Sequence, residues 1–295
     1  MQQPLMPPAL ALGFALACTA TQARRGDGLV APPVPTVGHV FILVEENANY
    51  DQVVGTGAMP YVDTLIGRYG LATQYYANTH PSIGNYFMMT TGQIITNNDG
   101  YAGTVRVDNV VRRLVAAGKT WKSYAEDLPW VGYTGGSNGL YLHRHNPLSS
   151  FSDVVNDSLQ RKNLVPFGEL ASDLAGGTLP NYGFIVPNRC HDAHDCPLGL
   201  ADEWLHTNIK PLIESPAFQQ DGLLIIVFDE ALSDGKYGGG RIVWLVVGPK
   251  VKPGYQSTRL YQQESTLRLS LEALGITGFP GAAAKAPAMG EFFRE

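Results

Sequence analysis

Two apolar runs in this chain end in acidic pairs: Leu223-Leu224-Ile225-Ile226-Val227 leads into Phe228-Asp229-Glu230, and Val40-Phe41-Ile42-Leu43-Val44 leads into Glu45-Glu46-Asn47. Adjacent carboxylates at the mouth of a buried strand are costly unless positive charge sits between them. In open α/β proteins ligands bind beyond the carboxyl ends of the strands. Two strands delivering hard oxygen donors to one edge therefore point to a divalent cation, and Mg²⁺, Ca²⁺, Mn²⁺ and Zn²⁺ all suit such donors. The alternative is that each pair caps a following helix or faces water, as acidic residues do at helix starts.

A hydroxyl and a polar loop add to this. In His80-Pro81-Ser82-Ile83-Gly84-Asn85-Tyr86, Ser82 falls at the start of a helix running to Thr91-Gly92. Backbone N–H groups and the helix dipole favour a phosphate or sulfate anion there. The competing reading is an ordinary N-cap serine. Asn85, three residues on, could donate to the same anion, with His80 just before it. The loop Pro187-Asn188-Arg189-Cys190-His191-Asp192-Ala193-His194-Asp195-Cys196 is dense in imidazole and carboxylate. Such groups bind a metal, hold a His as general acid near an oxyanion, or simply face solvent. Asp192, His194 and Asp195 leave a second metal site open, and Asp202 and Trp204 would buttress the loop. Cys190 and Cys196 close a short loop, which in an exported protein suggests a disulfide; a thiolate metal site would want more Cys or His.

Strand ends and helix starts require a sheet to place them. Strand-length apolar runs recur at 39–44, 71–76, 119–124, 181–186, 223–228 and 241–247. Helix-length segments with apolar spacing near 3.6 lie at 60–69, 83–91, 107–117, 199–214 and 262–274. Strands that are apolar throughout, separated by helices, indicate a mostly parallel sheet covered on both faces, a three-layer α/β/α sandwich. The polar, aromatic stretch 125–165 lacks periodicity and reads as a lid or insertion over one end of the sheet. Within it His143 and His145, beside Arg144, could approach the site from the insertion, but read first as solvent-facing loop histidines. Trp121, Tyr124, Trp130, Tyr133 and Tyr141 either wall a pocket or pack the loop. No linker divides 37–295, which reads as a single domain.

Composition narrows the class. Hydrophobic residues at 44% and charged residues at 16% argue against disorder. A net charge of −5 with no basic block excludes nucleic acid as the main partner. The apolar segment 9–20 has secretory length and is too short to span a bilayer. Residues 1–23 therefore read as a cleaved export signal and 24–36 as a linker, in a secreted or periplasmic protein with no stable membrane span. Cys18, after Ala15-Leu16-Ala17, allows a lipid anchor instead. Oligomeric state is not encoded in any pattern of the chain.

Taken in order, Glu46-Asn47 with Tyr50-Asp51, His80-Pro81-Ser82 with Asn85-Tyr86, Pro187-Asn188, Cys190 through Cys196, Asp202, Trp204 and Phe228-Asp229-Glu230 form one set. The set resembles the bacterial and fungal phosphoesterase family that groups acid phosphatases with phospholipases C, within the alkaline-phosphatase-like superfamily. The likeness runs over about residues 38–276. It implies that Glu46, Asn47, Asp229 and Glu230 hold a divalent metal and that Ser82 is the nucleophile that becomes phosphorylated. It implies further that Asn85 binds a phosphate oxygen, with His80 and Gln263 on the same substrate-binding side. His194, supported by Asp195, would lie against the phosphate or the leaving oxygen. The substrate would be a phosphate ester, either a small molecule or a phospholipid. Acid-phosphatase-type monoester hydrolysis is the first expectation and phospholipase C action on diesters the alternative.

Physical chemistry agrees with this reading, since a serine hydroxyl is a poor nucleophile that metal coordination activates, and a cation neutralises charge growing on phosphoryl oxygens. Two departures stand out. In Tyr261-Gln262-Gln263-Glu264-Ser265, Gln263 occupies the position of the family's His, and the segment after Glu230 is short. A metal-independent serine hydrolase using Ser82, His194 and Asp229 is a rival, although Gly-x-Ser-x-Gly is missing. A non-catalytic phosphate binder is another, hinted at only by Gln263.

Overall fold

In a computed structural model, which describes residues 1–2 and 32–294, the apolar run after Gly38 forms strand β1 (His39–Glu45). The expected export signal, Cys18 and most of the linker fall outside the described residues. Aliphatic and aromatic side chains on both faces suit a strand covered on both sides, and β1 is buried from Val40 onward. The further strands are β2 (Gly70–Ala72), β3 (Tyr75–Tyr76), β4 (Trp121–Ala125), β5 (Leu164–Pro166) and β6 (Tyr182–Val186). They continue with β7 (Gly222–Phe228), β8 (Trp244–Val247), β9 (Gln256–Ser257) and β10 (Tyr261–Gln262). Eight of them make one sheet in the order β5-β4-β6-β1-β7-β8-β2-β9, while β3 and β10 form a separate pair.

All neighbours in the large sheet are parallel except β8, which runs antiparallel to both β7 and β2. A parallel return needs a crossover long enough to carry a helix. The link from β7 to β8 holds only the one-turn 3₁₀ helix Lys236–Gly238, so the chain comes straight back. The helices sort into two packed groups. Pro60–Arg68, Leu198–Asn208, Lys210–Glu214 and Pro216–Asp221 form one; Ser82–Thr91, Val110–Ala116, Ser152–Val155 and Gln263–Ala273 form the other. Every residue of β7 is buried, and a strand's alternating side chains can all be buried only if both faces are covered. The architecture is the expected α/β sandwich.

Three differences from the sequence expectations have physical causes. The run 71–76 splits at Thr73-Gln74, where the Arg241 guanidinium fills the Thr73 carbonyl and Gln74 accepts from the backbone of β10. The segment 199–214 breaks at Ile209, because Pro211 cannot continue the preceding helix. The stretch 125–165 is not featureless: it carries the 3₁₀ turns His143–His145 and Pro147–Ser150, two short helices and β5. Trp121, Tyr124 and Tyr141 are buried in the core, with Trp121 also lining a small cleft beside Gln160 and Asn163.

Candidate active site

Strand register brings the acidic ends together. β1 and β7 pair Glu45 with Phe228, and the Asp229 N–H continues the ladder to the Glu45 carbonyl at 2.9 Å. Glu46 therefore emerges level with Asp229. On the other flank the Glu46 N–H reaches the Asp192 carbonyl at 2.7 Å, tying the loop after β6 to the same edge. Asn47 adopts a left-handed conformation (φ 43°) that asparagine tolerates better than most residues. From there its N–H reaches Asp229 Oδ1 at 3.3 Å and its amide reaches Glu46 Oε2 at 2.9 Å. Alternation sends Glu45 to the opposite face. Both of its carboxyl oxygens are buried without partners, and burial, then Asp192, Asp202 and Glu46, push its pKa well up.

Ser82 is the first residue of its helix, and its hydroxyl caps no helical N–H. It donates instead toward Glu46 Oε2 at 3.1 Å and Glu230 Oε1 at 3.2 Å. With one proton to give, it serves one carboxylate at a time. Four residues on and on the same helix face, Tyr86 donates to Glu46 Oε1 at 2.9 Å. The Ile83 N–H goes to Asp99 Oδ1 at 3.2 Å.

The three residues expected to bind substrate make contacts within the frame of the site. The Asn85 amide accepts from the N–H groups of Asn78 and Thr79 and donates to the Thr79 carbonyl, which fixes the turn leading into Ser82. His80 Nδ1 lies 2.6 Å from Glu230 Oε2, and its Nε2 meets the Asp234 carbonyl. Gln263 is fully buried and donates to the Asp229 carbonyl at 2.5 Å, with its own oxygen left unpartnered.

His145 overturns the expectation of a solvent-facing loop histidine. It is buried, stacked on Tyr86, with Nε2 2.9 Å from Glu46 Oε1 and Nδ1 2.9 Å from Asp192 Oδ2. Burial alone would push the His145 pKa down, but Glu46 and Asp192 outweigh it and raise it to about 9. Burial would likewise raise Glu46; the charge and hydrogen bond of His145, aided by His194 and Tyr86, bring it down to about 2.

His194 is held from both sides, by Asp195 Oδ1 at 2.6 Å on Nδ1 and by the Arg144 guanidinium at 3.0 Å on Nε2. Ser82 bonds carboxylates and not His194, so the Ser82–His194–Asp229 relay of a serine hydrolase is not assembled. Asp192 pairs with His145 and the His194 N–H, and Asp195 with Arg189 and His194. The Cys190–Cys196 disulfide closes this loop. Trp204 donates to Glu126, which holds His191, while Asp202 accepts the N–H groups of Tyr61 and Val62 at the start of the Pro60–Arg68 helix.

The donor set fits a hard cation. Asp229 Oδ2 is buried with no partner. Burial first, then repulsion from Glu46 and Glu230, pushes the Asp229 pKa well up; burial also raises Glu230, although His80 opposes it. Carboxylates crowded in this way are what a divalent cation relieves. Among the described residues no three His, Cys, Asp or Glu side chains are already drawn together as a metal shell. Sequence reasoning missed Asp99, gave no role to Tyr86 or Arg144, and favoured solvent for His145. The run His143-Arg144-His145-Asn146, polar within an aromatic stretch, was the available signal.

The model described as "Phosphoesterase family" matches residues 56–275 of the chain. A phosphatidylinositol-3-phosphatase of Mycobacterium tuberculosis is 31% identical over 256 residues, covering 85% of this chain and 82% of that protein. A probable acid phosphatase of Kluyveromyces lactis is 32% identical over 64% of this chain, which spans 47% of that relative's length. Among solved structures, a Vibrio parahaemolyticus protein of the alkaline phosphatase superfamily superposes with a TM-score of 0.60 at 13% identity, over 88% of this chain and 72% of that one. That likeness shows the fold.

Proposed function

Because the chain belongs to the phosphoesterase family, hydrolases acting on phosphate esters, we propose that it is an exported, metal-dependent phosphomonoesterase working through a phosphoserine at Ser82. One observation carries the reading: a serine hydroxyl at a helix N-terminus lies 3.1 and 3.2 Å from two buried carboxylates delivered by separate strands. Ser82 Oγ attacks phosphorus and its proton passes to Glu230. The bond from phosphorus to the ester oxygen breaks, and a proton from water passes by way of His194, oriented by Asp195, to the leaving alkoxide. Water then attacks the phosphoserine, His194 takes a proton from it, and the carboxyl returns its proton to Ser82 as inorganic phosphate leaves. A divalent cation held by Glu46, Asn47, Asp229 and Glu230 would neutralise charge on the phosphoryl oxygens.

The Cys190–Cys196 disulfide supports an oxidising, exported location. A second reading, a monoester carried on a lipid headgroup, is favoured by the mycobacterial relative, whose name is that of a phosphoinositide phosphatase. Three substrates separate the possibilities: a chromogenic monoester, vesicles containing phosphatidylinositol 3-phosphate, and phosphatidylcholine. Monoester turnover is expected, falling on the order of 10³-fold or more in Ser82→Ala. Cleavage of phosphatidylcholine alone would replace the monoesterase with a phospholipase C. Chelation should abolish turnover and added cation restore it; full activity in protein verified as metal-free would sink the metal.

A further inference from the structure

A ring of contacts surrounds the N-terminus of the Ser82 helix. Ser82 donates to Glu46, Glu46 pairs with His145 at 2.9 Å, and the His145 ring lies 5.9 Å from that of His194. His194 Nε2 accepts from Arg144 Nη2 at 3.0 Å, and Arg144 Nε stands 3.7 Å from Asp99, which holds the Ile83 N–H beside Ser82. Half of the ring is acidic and lines the nucleophile; the other half carries the Arg144 guanidinium and two imidazoles. Arg144 is only 17% exposed, and its Nε is buried without a hydrogen-bond partner. Asp195, which could neutralise it, is engaged by Arg189 and His194, and Asp99 uses one oxygen on Ile83. A guanidinium resting on an imidazole is a weakly matched cation, whereas its planar fork fits phosphate oxygens in pairs.

We propose that Arg144 is the phosphate anchor of this site and the residue that selects monoesters. When substrate arrives the guanidinium leaves His194 Nε2 and grips two non-bridging phosphoryl oxygens, which frees that nitrogen for the leaving oxygen. A monoester has three non-bridging oxygens, so the fork engages two and one is left toward the carboxylate side. A diester has two in all and cannot satisfy both sides. The inference rests on the phosphomonoesterase reading above.

The test compares wild type, Arg144→Gln and Arg144→Lys on p-nitrophenyl phosphate and bis-p-nitrophenyl phosphate, with inorganic phosphate as competitive inhibitor. Arg144→Gln is expected to raise the monoester KM and the phosphate inhibition constant on the order of 10- to 100-fold, as loss of a charge-assisted pair does, and to affect the diester less. Arg144→Lys keeps the charge without the fork and should fall between the two. Monoester KM and phosphate inhibition within about twofold of wild type in Arg144→Gln would overturn the proposal. Equal losses on monoester and diester, with Lys no better than Gln, would also overturn it by marking a structural role. If Arg144→Gln does not fold, Arg144→Lys decides, since unchanged phosphate inhibition there makes the fork dispensable. Ser82→Ala separates the two levels. Full monoester turnover in that variant removes the underlying reading, whereas an inactive Ser82→Ala leaves the Arg144 result to stand or fall alone.

Discussion

Glu46 is the residue on which the site turns. It is fully buried, yet it is held ionised near pKa 2, because the charge and hydrogen bond of His145, aided by His194 and Tyr86, outweigh the effect of burial. His145 in turn bridges to Asp192, so one imidazolium balances two buried carboxyls. Removing one partner from such a cluster leaves charge uncompensated in a low-dielectric interior, at a cost of about 3–5 kcal/mol. His145→Ala is therefore expected to lower the melting temperature by roughly 6 °C or more and to depress turnover with it. A melting temperature equal to wild type would show that His145 does not carry the charge balance. The carboxylates were legible in the sequence because polar residues directly after an apolar run must sit at a strand end. His145 was not legible, because nothing local distinguishes a loop histidine that a 3₁₀ turn carries inward from one left in solvent. Asn85 and His80 were found for the right neighbourhood, but the framework contacts they make there were not foreseen. Their hydrogen bonds run to Asn78, Thr79, Glu230 and Asp234, partners whose nearness only tertiary structure supplies.

At the scale of elements, the loop Asn188–Cys196 presents two working groups at once. Its Asp192 carbonyl accepts from Glu46, its Asp192 carboxyl grips His145, and its His194 faces Arg144. The disulfide closes it into a small ring. By loop entropy, a closed loop of that size is worth about 2 kcal/mol. The paired change Cys190→Ser with Cys196→Ser should thus cost about that much stability and, by loosening His194, reduce kcat for the monoester more than it raises KM. A loss confined to KM would mean that the loop orients binding groups only. The alternation of apolar runs and helical spacings made the parallel sheet readable, since strands covered on both faces leave little room for polar residues. The antiparallel β8 was hidden in the sequence because its direction depends on the length of the β7–β8 link, not on the pattern within the strand. The work of the 125–165 segment was hidden for a similar reason. Its short helices and 3₁₀ turns lack the length to show a period, and Arg144 and His145 are placed by packing against the Ser82 helix.

For the whole molecule, the crowded carboxyls couple folding to pH and, through the proposed metal site, to a cation. Burial and mutual repulsion raise Asp229 and Glu230, and burial with its acidic neighbours raises Glu45, so the folded chain keeps protons that the unfolded chain gives up above the usual value of 4.5 for Glu or 3.8 for Asp. Where the native state binds more protons than the unfolded state, stability falls as pH rises. His145 acts in the same direction at higher pH: its stabilisation is fully present below its usual value of 6.5 and is lost as pH climbs through about 9. Glu46 acts oppositely, contributing stability above 4.5 that is lost as pH falls toward about 2. The cation-free protein is therefore expected to melt at a higher temperature near pH 5 than near pH 8. A divalent cation held there, as proposed, would take the place of the protons on Asp229 and Glu230 and would compete with them less as they leave. At about 100 times its dissociation constant it should add about 2.7 kcal/mol, or roughly 5–10 °C, near pH 8 and distinctly less near pH 5. Melting curves at the two pH values, with chelator and with cation, check this. A cation-free protein that is more stable at pH 8, or a larger cation effect at pH 5, would mean that Asp229 and Glu230 are relieved by something other than a cation.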